Sequence, residues 1–451
     1  MNTLKAGFAR IDITPPLGSS LQGYSNVRYA ESILDPLLAT AVCFDDGSKR
    51  IVVVSVDLIG CSQCIMKDLR PMVAEAIQTE TEAVFIHCTH THLGAGLATP
   101  ENTLWPGNEE YVAWFMRRIR DVAVLAAQDL APAKLSYTRG TVKDVAFIRR
   151  FKMKDGSFRT NPGFQNPEID HALGTPDENS SLLIIKRENA PEIGIVNFQV
   201  HPDMIGGRYG NSAKISPSLC MSADFPKFVR DTYEALIPNS RCMYINGAQG
   251  DTNHIDVRLG EDKCRGGYDR ARYSGRKIAM SVIADYELAE PLENTAIRYA
   301  QKNIWVKHNK GTPEQEKEAI RIVNLWKEKG PDGVGPDSMG MARTELISEA
   351  SRIVRCMSMP DEKELYVTAV AVGDVVFAGF PGEPFTEMGR AVKRASKFTL
   401  TIPACAANGY EGYYPTIDCF SESGYEVRSS RYTAGTAEKI VEASIEIINN
   451  L

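Results

Sequence analysis

Ile51-Val52-Val53-Val54-Ser55-Val56-Asp57, then a helix-compatible stretch, then Ala83-Val84-Phe85-Ile86-His87-Cys88, is the passage that decides the fold class. Two short apolar runs end in polar residues and bracket a segment of helical spacing, which specifies a strand, a helix and a second strand. A helix over 109–128 closes this first unit, with Tyr111, Phe115, Ile119, Val122 and Leu125 expected on one face. Downstream, Leu135 to Thr138, Leu182 to Ile185 and Ile193 to Val200 are strand-like. Turn signals such as Lys154-Asp155-Gly156 and Asn161-Pro162-Gly163 separate them. Helical patterns return at Phe225 to Leu236 and Tyr268 to Leu288, on either side of a strand at Met243-Tyr244-Ile245. Leu365 to Val372 and Asp374 to Phe380, divided by Gly373, read as a hairpin running into a helix at Pro381-Gly382-Glu383. The expectation is a mixed α/β fold: one large catalytic domain over 1–451, its sheets flanked by helices. Two charged helices, Pro313 to Lys329 and Met339 to Cys356, are expected as a solvated appendage within 311–357, joined by the linker Gly330 to Pro336.

Composition narrows the function classes. The 451 residues are 43% hydrophobic and 24% charged, which is ordinary globular usage and excludes a disordered or fibrous chain. The net charge of -6, with both signs interleaved, leaves no basic stripe for nucleic acid. No apolar run approaches the roughly 18 residues of a membrane span, so no membrane insertion is expected. Met1 to Thr14 lacks the sections of a signal peptide, which points to the cytoplasm, or to a secreted or periplasmic protein if a leader has been removed. The ten cysteines are scattered singly and read mostly as free thiols. Cys61-Ser62-Gln63-Cys64 reads as structural because no second pair accompanies it.

Three of the seven histidines fall in His87-Cys88-Thr89-His90-Thr91-His92-Leu93-Gly94-Ala95-Gly96. A His-x-His pair at a strand end places both rings on one side, where neutral nitrogens can meet at a metal; hydrogen-bonded structural histidines are the alternative. His201, before Pro202, and Glu383 also stand where strands run out, which is where sites assemble in α/β folds. Each has a plain alternative, a loop histidine bonded to backbone and a carboxylate favouring a helix dipole. The segment Asn246-Gly247-Ala248-Gln249-Gly250-Asp251-Thr252-Asn253-His254 either turns tightly or lines a pocket. Tyr410 and Tyr413 either pack or point a phenolic oxygen at a metal or oxyanion. Arg149-Arg150 is either surface charge or an anion clamp.

Taken in order, a set of segments resembles the neutral (alkaline, non-lysosomal) ceramidase family. They are Arg10-Ile11-Asp12-Ile13-Thr14-Pro15-Pro16, Gly23-Tyr24, Asp35-Pro36, Ser55-Val56-Asp57, Thr89-His90-Thr91-His92, Asn197 to Pro202, Ser222-Ala223-Asp224-Phe225, Asn246 to Asn253, Phe380-Pro381-Gly382-Glu383 and Gly412-Tyr413-Tyr414-Pro415-Thr416. The resemblance spans nearly the whole chain. It implies a single zinc ion held by His90, His201, Glu383 and Tyr413, with His92 beside it for binding or proton transfer, and hydrolysis of an amide bond. The chain departs from the family at Asn253, where ceramidases carry a serine, at His254 in place of proline, and at Leu93 in place of another serine. Its length is also expected to leave no room for the family's additional C-terminal β-domain.

The reading is therefore a zinc-dependent hydrolase, an amidase for a C–N bond of a polar small or medium substrate rather than ceramide. His92, Asp251 and Asn253 are the catalytic candidates. Arg149, His254 and Tyr410 are the substrate contacts. The alternatives are a metal-dependent ester or sugar-derivative hydrolase or lyase, and a non-catalytic ligand-binding relative. A small-molecule substrate is the expected partner, and a homo-oligomer is left open.

Overall fold

The computed structural model describes residues 4–24, 26–97, 109–206, 216–264, 266–335 and 341–451. Pro336, Met339 and Gly340 of the expected linker and second charged helix lie outside them.

Nine strands form the larger sheet: β1 (Lys5–Asp12), β2 (Leu38–Asp45), β3 (Arg50–Val56), β4 (Val84–Cys88), β5 (Ala131–Thr141), β6 (Asn179–Arg187), β7 (Glu192–Phe198), β8 (Ser240–Asn246) and β9 (Glu290–Leu292). The order is β8-β7-β6-β5-β1-β2-β3-β4, with β9 beside β5. Most pairs are antiparallel, but β3 with β4 and β7 with β8 are parallel, and these parallel pairs form the two edges. The decisive passage is therefore read correctly as strand, helix α1 (Gln63–Ala76) and strand, and the structure pairs the two strands in parallel. Every residue of β4 is buried, as its unbroken apolar run requires of a strand covered on both faces.

A second sheet of four strands is ordered β10 (Ile297–Lys307), β11 (Glu362–Val372), β12 (Val375–Gly379), β13 (Leu400–Ala404). The two sheets share one core, with Val53, Phe85, Leu183, Ile195 and Met243 from the first meeting Val370, Phe377 and Ile402 from the second. On the far side of the larger sheet pack α1, α2 (Glu109–Gln128), α3 (Phe225–Leu236) and α4 (Tyr268–Ile283). Behind the smaller sheet pack α7 (Thr386–Ala395) and α8 (Thr436–Asn450), after α5 (Pro313–Lys329) and α6 (Ala342–Met357). The result is four layers, helices on sheet on sheet on helices.

Local chemistry explains the boundaries. Helix α2 turns Tyr111, Phe115, Ile119 and Val122 inward as expected, but Ala126 completes the stripe, and Leu125 is 46% exposed. Helix α3 starts where the Asp224 carboxylate accepts the Phe225 N–H, with Pro226 in the first turn, where its missing donor is not needed. Helix α5 opens on a reciprocal capping box between Thr312 and Gln315, worth about 1 kcal/mol. Helices α5 and α6 are charged outside, yet Ile322, Val323 and Trp326 pack on Ile347, Ala350 and Ile353. The pair is therefore solvated on its outer faces and sealed within.

The edges β4 and β8 of the large sheet are brought together. Asn246 N–H donates to His87 Nε2 at 3.2 Å, and Asn246 Nδ2 donates to Thr89 O at 3.1 Å. His87 Nδ1 in turn donates to Cys405 O, just past β13, at 2.8 Å. Burial brings the His87 ring down to about 4, so it stays neutral and serves as a fixed strut. All ten cysteines are free thiols. Among the described residues no helix is long and apolar enough to cross a membrane.

Candidate functional site

The carboxyl ends of β4, β7, β8, β12 and β13 converge because the His87 strut holds β4, β8 and the end of β13 against one another. The chain leaves β4 at Cys88 and reaches His90 in the left-handed region, at φ 73°. His90 N–H donates to Leu58 O, which holds that turn. Strand alternation, the reason the sequence gives for two rings on one side, does not operate here, since the strand has stopped two residues earlier. The turn at His90 does the aiming, at a backbone cost that functional sites commonly carry.

His90 Nδ1 donates to Ile59 O at 2.7 Å, and His201 Nδ1 donates to Gln249 O at 3.1 Å. Carbonyls only accept, so each Nδ1 carries the proton and each neutral ring presents Nε2 as a lone pair. Both lone pairs face one oxygen, Glu383 Oε2, at 3.1 and 3.3 Å. All three side chains are buried. Three acceptors in such contact need positive charge between them, from protons or from a cation. Burial, then the nearby Arg149 charge, pushes His201 below the usual imidazole range, which disfavours the proton. The donor set, two imidazoles and a carboxylate, suits a metal ion.

His92 completes a second, overlapping group, in which the ligand atoms of His90, His92 and His201 all lie within 4.8 Å of one another and can hold a metal ion. The His92 ring stands 5.2 Å from that of His90 and 5.3 Å from that of His201, and neither of its nitrogens has a hydrogen-bond partner among the described residues. Burial holds it well below the ordinary value, so it is neutral.

Glu383 and Tyr413 pair directly in a two-residue parallel ladder, Glu383-Pro384 against Tyr413-Tyr414. Glu383 N–H donates to Gly412 O, and Tyr410 Oη donates to Glu383 Oε1 at 2.8 Å. Burial alone would raise the Glu383 carboxyl, but positive charge shared with His90 and His201 outweighs it and holds it well below the carboxylate range, the same demand for protons or a cation among the three. Tyr413 Oη lies 3.4 Å from His201 Nε2 and accepts from Arg149 Nη2 at 3.1 Å. Burial and then Glu383 push this phenol upward, while Arg149 opposes them.

Arg149-Arg150 is not surface charge. Arg149 is 4% exposed, with Nε on Glu426 Oε1 at 2.6 Å and Nη2 also on Gly250 O at 2.9 Å. Arg150 binds Glu422 and Ser423 O. Asp251 Oδ1 accepts from both Thr386 N and Thr386 Oγ1, at 2.8 and 2.7 Å, and so anchors the start of α7. Asn253 is committed at both ends, Nδ2 to Asn161 Oδ1 and Oδ1 to Ile255 N–H. His254 Nδ1 donates to Asp203 Oδ1 at 3.0 Å. Burial raises the Asp203 carboxyl, but the hydrogen bond from His254 outweighs it and holds it low. Gly250 is required where it stands, since a Cβ there would lie 2.6 Å from Glu383 O.

Sequence reading did not single out Asp203, Glu426 or the carbonyls of Ile59 and Gln249. Asp203 left a signal, a carboxylate two positions after His201. Glu426, 277 residues from Arg149, left none.

Residues 4–209 match the family model for the N-terminal part of neutral/alkaline non-lysosomal ceramidases. Among solved structures, the neutral ceramidase from Pseudomonas aeruginosa is 17% identical with a TM-score of 0.73, and the match covers 99% of this chain and 74% of that one. A ceramidase complexed with C2 is 16% identical with a TM-score of 0.70, covering 99% of this chain and 75% of its own. By family pattern over residues 4–209 and by fold over nearly its whole length, the chain is similar to the neutral/alkaline non-lysosomal ceramidases.

Proposed function

We propose that the protein is a zinc-dependent amidohydrolase acting on a C–N bond of a polar, small or medium-sized substrate. The observation that carries this reading is the convergence of His90 Nε2 and His201 Nε2 on Glu383 Oε2, three buried acceptors with no proton assigned between them. His90, His201 and Glu383 would hold the ion, with Tyr413 as a fourth donor. When bound, zinc would polarise the scissile carbonyl and bring the pKa of a water down to about 7. Tyr410 fixes the second oxygen of Glu383, so that Oε2 stays aimed at the histidines. Arg149 favours the oxyanion form of Tyr413 and is itself fixed by Glu426. Neutral His92 stands beside His90 and His201, ready to move a proton between substrate and solvent. The names of the similar proteins support amide hydrolysis, and the polar surroundings of Tyr24, His92, Asp203 and His254 support a polar substrate.

A second reading, cleavage of an ester or sugar derivative, is favoured by Asn253. Its amide is bonded at both ends and offers none of the chemistry of a hydroxyl.

The test is metal analysis by plasma mass spectrometry of wild-type and His90→Ala protein, followed by a panel of matched amides, esters and uronates at neutral pH. One zinc per chain, lost in the variant, with turnover of amides, is expected. Zinc retained by the variant overturns the site; turnover of only the esters or uronates overturns the amidase assignment.

A further inference from the structure

Cys61-Ser62-Gln63-Cys64 stands at the amino end of α1, and the structure gives it surroundings that its spacing does not show. Ser62 holds the position just before the helix, where a serine ordinarily accepts a first-turn N–H, yet it makes no such bond. Its hydroxyl lies instead 2.9 Å from Cys64 Sγ. Cys64 is in the first turn of α1, which carries no acidic side chain, and it is partly exposed, whereas Cys61 is buried. A partly exposed thiol at a helix amino end, with a second cysteine close by to resolve it, is the arrangement in which oxidation is selective. Burial, and then Cys64, push the Cys61 thiol upward, so Cys61 waits as a thiol while Cys64 meets solvent.

The segment that leads into Cys61 serves two of the side chains assigned to the ion. Ile59 O accepts the Nδ1–H of His90 at 2.7 Å, and Leu58 O accepts its backbone N–H. Gly60 carries the Tyr410 ring so closely that a Cβ there would stand 2.2 Å from Tyr410 Cγ. Tyr410 Oη in turn holds Glu383 Oε1. Residues 58–60 therefore set His90 directly and Glu383 through Tyr410, with no slack at Gly60. A disulfide draws its two Cα atoms to about 4.4–6.8 Å. Ser62, between the two cysteines, is extended, at φ -59° and ψ 155°. Closing the bond must fold this residue in, and Cys61 and the segment behind it are carried along.

We propose that Cys64 is a site of oxidation by hydroperoxides, resolved by Cys61, and that the resulting disulfide loosens the metal site through Ile59 and Gly60. The Cys64 sulfur attacks the terminal oxygen of the hydroperoxide; the S–O bond forms, the O–O bond breaks, and the other oxygen leaves as an alcohol or water, with the thiol proton. The Cys61 sulfur then attacks Cys64 sulfur; the S–S bond forms, the S–O bond breaks, and hydroxide leaves as water with the Cys61 proton. The two sulfurs together give up the two electrons that reduce the peroxide. A dithiol reverses the change. The effect on the ion rests on the metal reading of the site, whereas the oxidation and the movement of residues 58–60 do not.

The test treats full-length wild type and Cys64→Ser with hydrogen peroxide, then with dithiothreitol. At each stage peptide mass spectrometry locates disulfides, a chelating dye measures zinc affinity, and hydrogen exchange follows the backbone amide of His90 in metal-free protein. Oxidised wild type is expected to carry the Cys61–Cys64 bond, to bind zinc about 10–100-fold more weakly, as loss of an outer partner of a ligand typically does, and to exchange the His90 amide faster. Dithiothreitol should restore all three, and Cys64→Ser should show none of these changes. Absence of the bond after peroxide overturns the modification site. The bond without faster exchange overturns its coupling to His90. Equal zinc loss from peroxide-treated Cys64→Ser assigns the effect to other groups and overturns the proposal. Reduced wild type that binds no zinc overturns the metal reading, and faster exchange at His90 on oxidation then still upholds the switch. If Cys64→Ser does not fold, reversal by dithiothreitol in wild type decides, and failure to reverse overturns the proposal.

Discussion

Glu383 and Tyr413 stand opposite each other in a parallel ladder only two residues long, so a carboxylate and a phenol from separate segments are fixed side by side by backbone pairing. Each has its own clamp, Tyr410 on Glu383 and Arg149 on Tyr413. The clamps make the first prediction. Tyr410→Phe removes the bond to Glu383 Oε1 without changing any donor to the ion. Zinc affinity should fall about 10–100-fold, as loss of an outer partner typically does, while the folded structure persists. Competition with a chelating dye measures it, and unchanged affinity would show that Glu383 is positioned without Tyr410.

His87 and His90 lie three positions apart and should respond in opposite ways. His87→Phe leaves Asn246 N–H and Cys405 O buried without partners, at about 1–3 kcal/mol each, so the melting temperature should drop clearly. Variant protein purified folded at low temperature should keep its metal. His90→Ala should lose the metal instead. Metal loss from folded His87→Phe would mean that the strut is itself part of the ion's environment.

Asp57 and Arg230 form a doubly hydrogen-bonded pair, at 3.0 and 2.7 Å, with both side chains buried. Arg230→Met strands the carboxylate and should cost about 3–5 kcal/mol in urea unfolding. The double variant Asp57→Leu, Arg230→Met should recover much of that loss, because the expense lies in the unpaired charge. A double variant no better than the single one would assign the loss to packing.

Asp35 gives a pH dependence with a definite sign. Burial raises its carboxyl from 3.8 to about 6, against the opposing bonds from Ser222 and Ala223. The folded state therefore binds the proton more tightly than the unfolded chain. The corresponding stability is complete below about 3.8 and is lost as pH rises through about 6. Asp35→Asn keeps the oxygen that accepts Ala223 N–H and removes the titration, so its melting temperature should change less between pH 4 and 7 than that of wild type. A steeper change would reverse the sign assigned to Asp35.

The fold was legible wherever the periodicity was local. The ends of α2, α3 and α5 fall where the sequence places them, and the passage around β3 and β4 reads as strand, helix and strand, though not as a parallel pair. Long-range pairing was not legible. Nothing in the run from Lys5 to Asp12 says that it lies between β5 and β2, or that β4 and β8 meet across a histidine. The site behaved in the same way. His90, His201, Glu383 and Tyr413 could be named because motifs carry them, whereas Arg149 turned inward because Glu426 awaits it, and a single buried glutamate in Tyr425-Glu426-Val427 has no pattern to betray it. The His-x-His spacing pointed to a real cluster for a reason that does not hold, since a left-handed turn at His90 aims the rings.

The strut through His87 has a consequence for the order in which the molecule matures. It bonds residues 159 and 318 positions away, and the donors it helps to gather run from His90 to Tyr413. Such distant closures are the slowest part of folding, because each must overcome the entropy of a long loop before any contact rewards it. A chain that has made only its first sheet holds two imidazoles and no carboxylate to set against them. Capture of the ion should therefore come last, and its arrival would serve as a clock for completion of the native state.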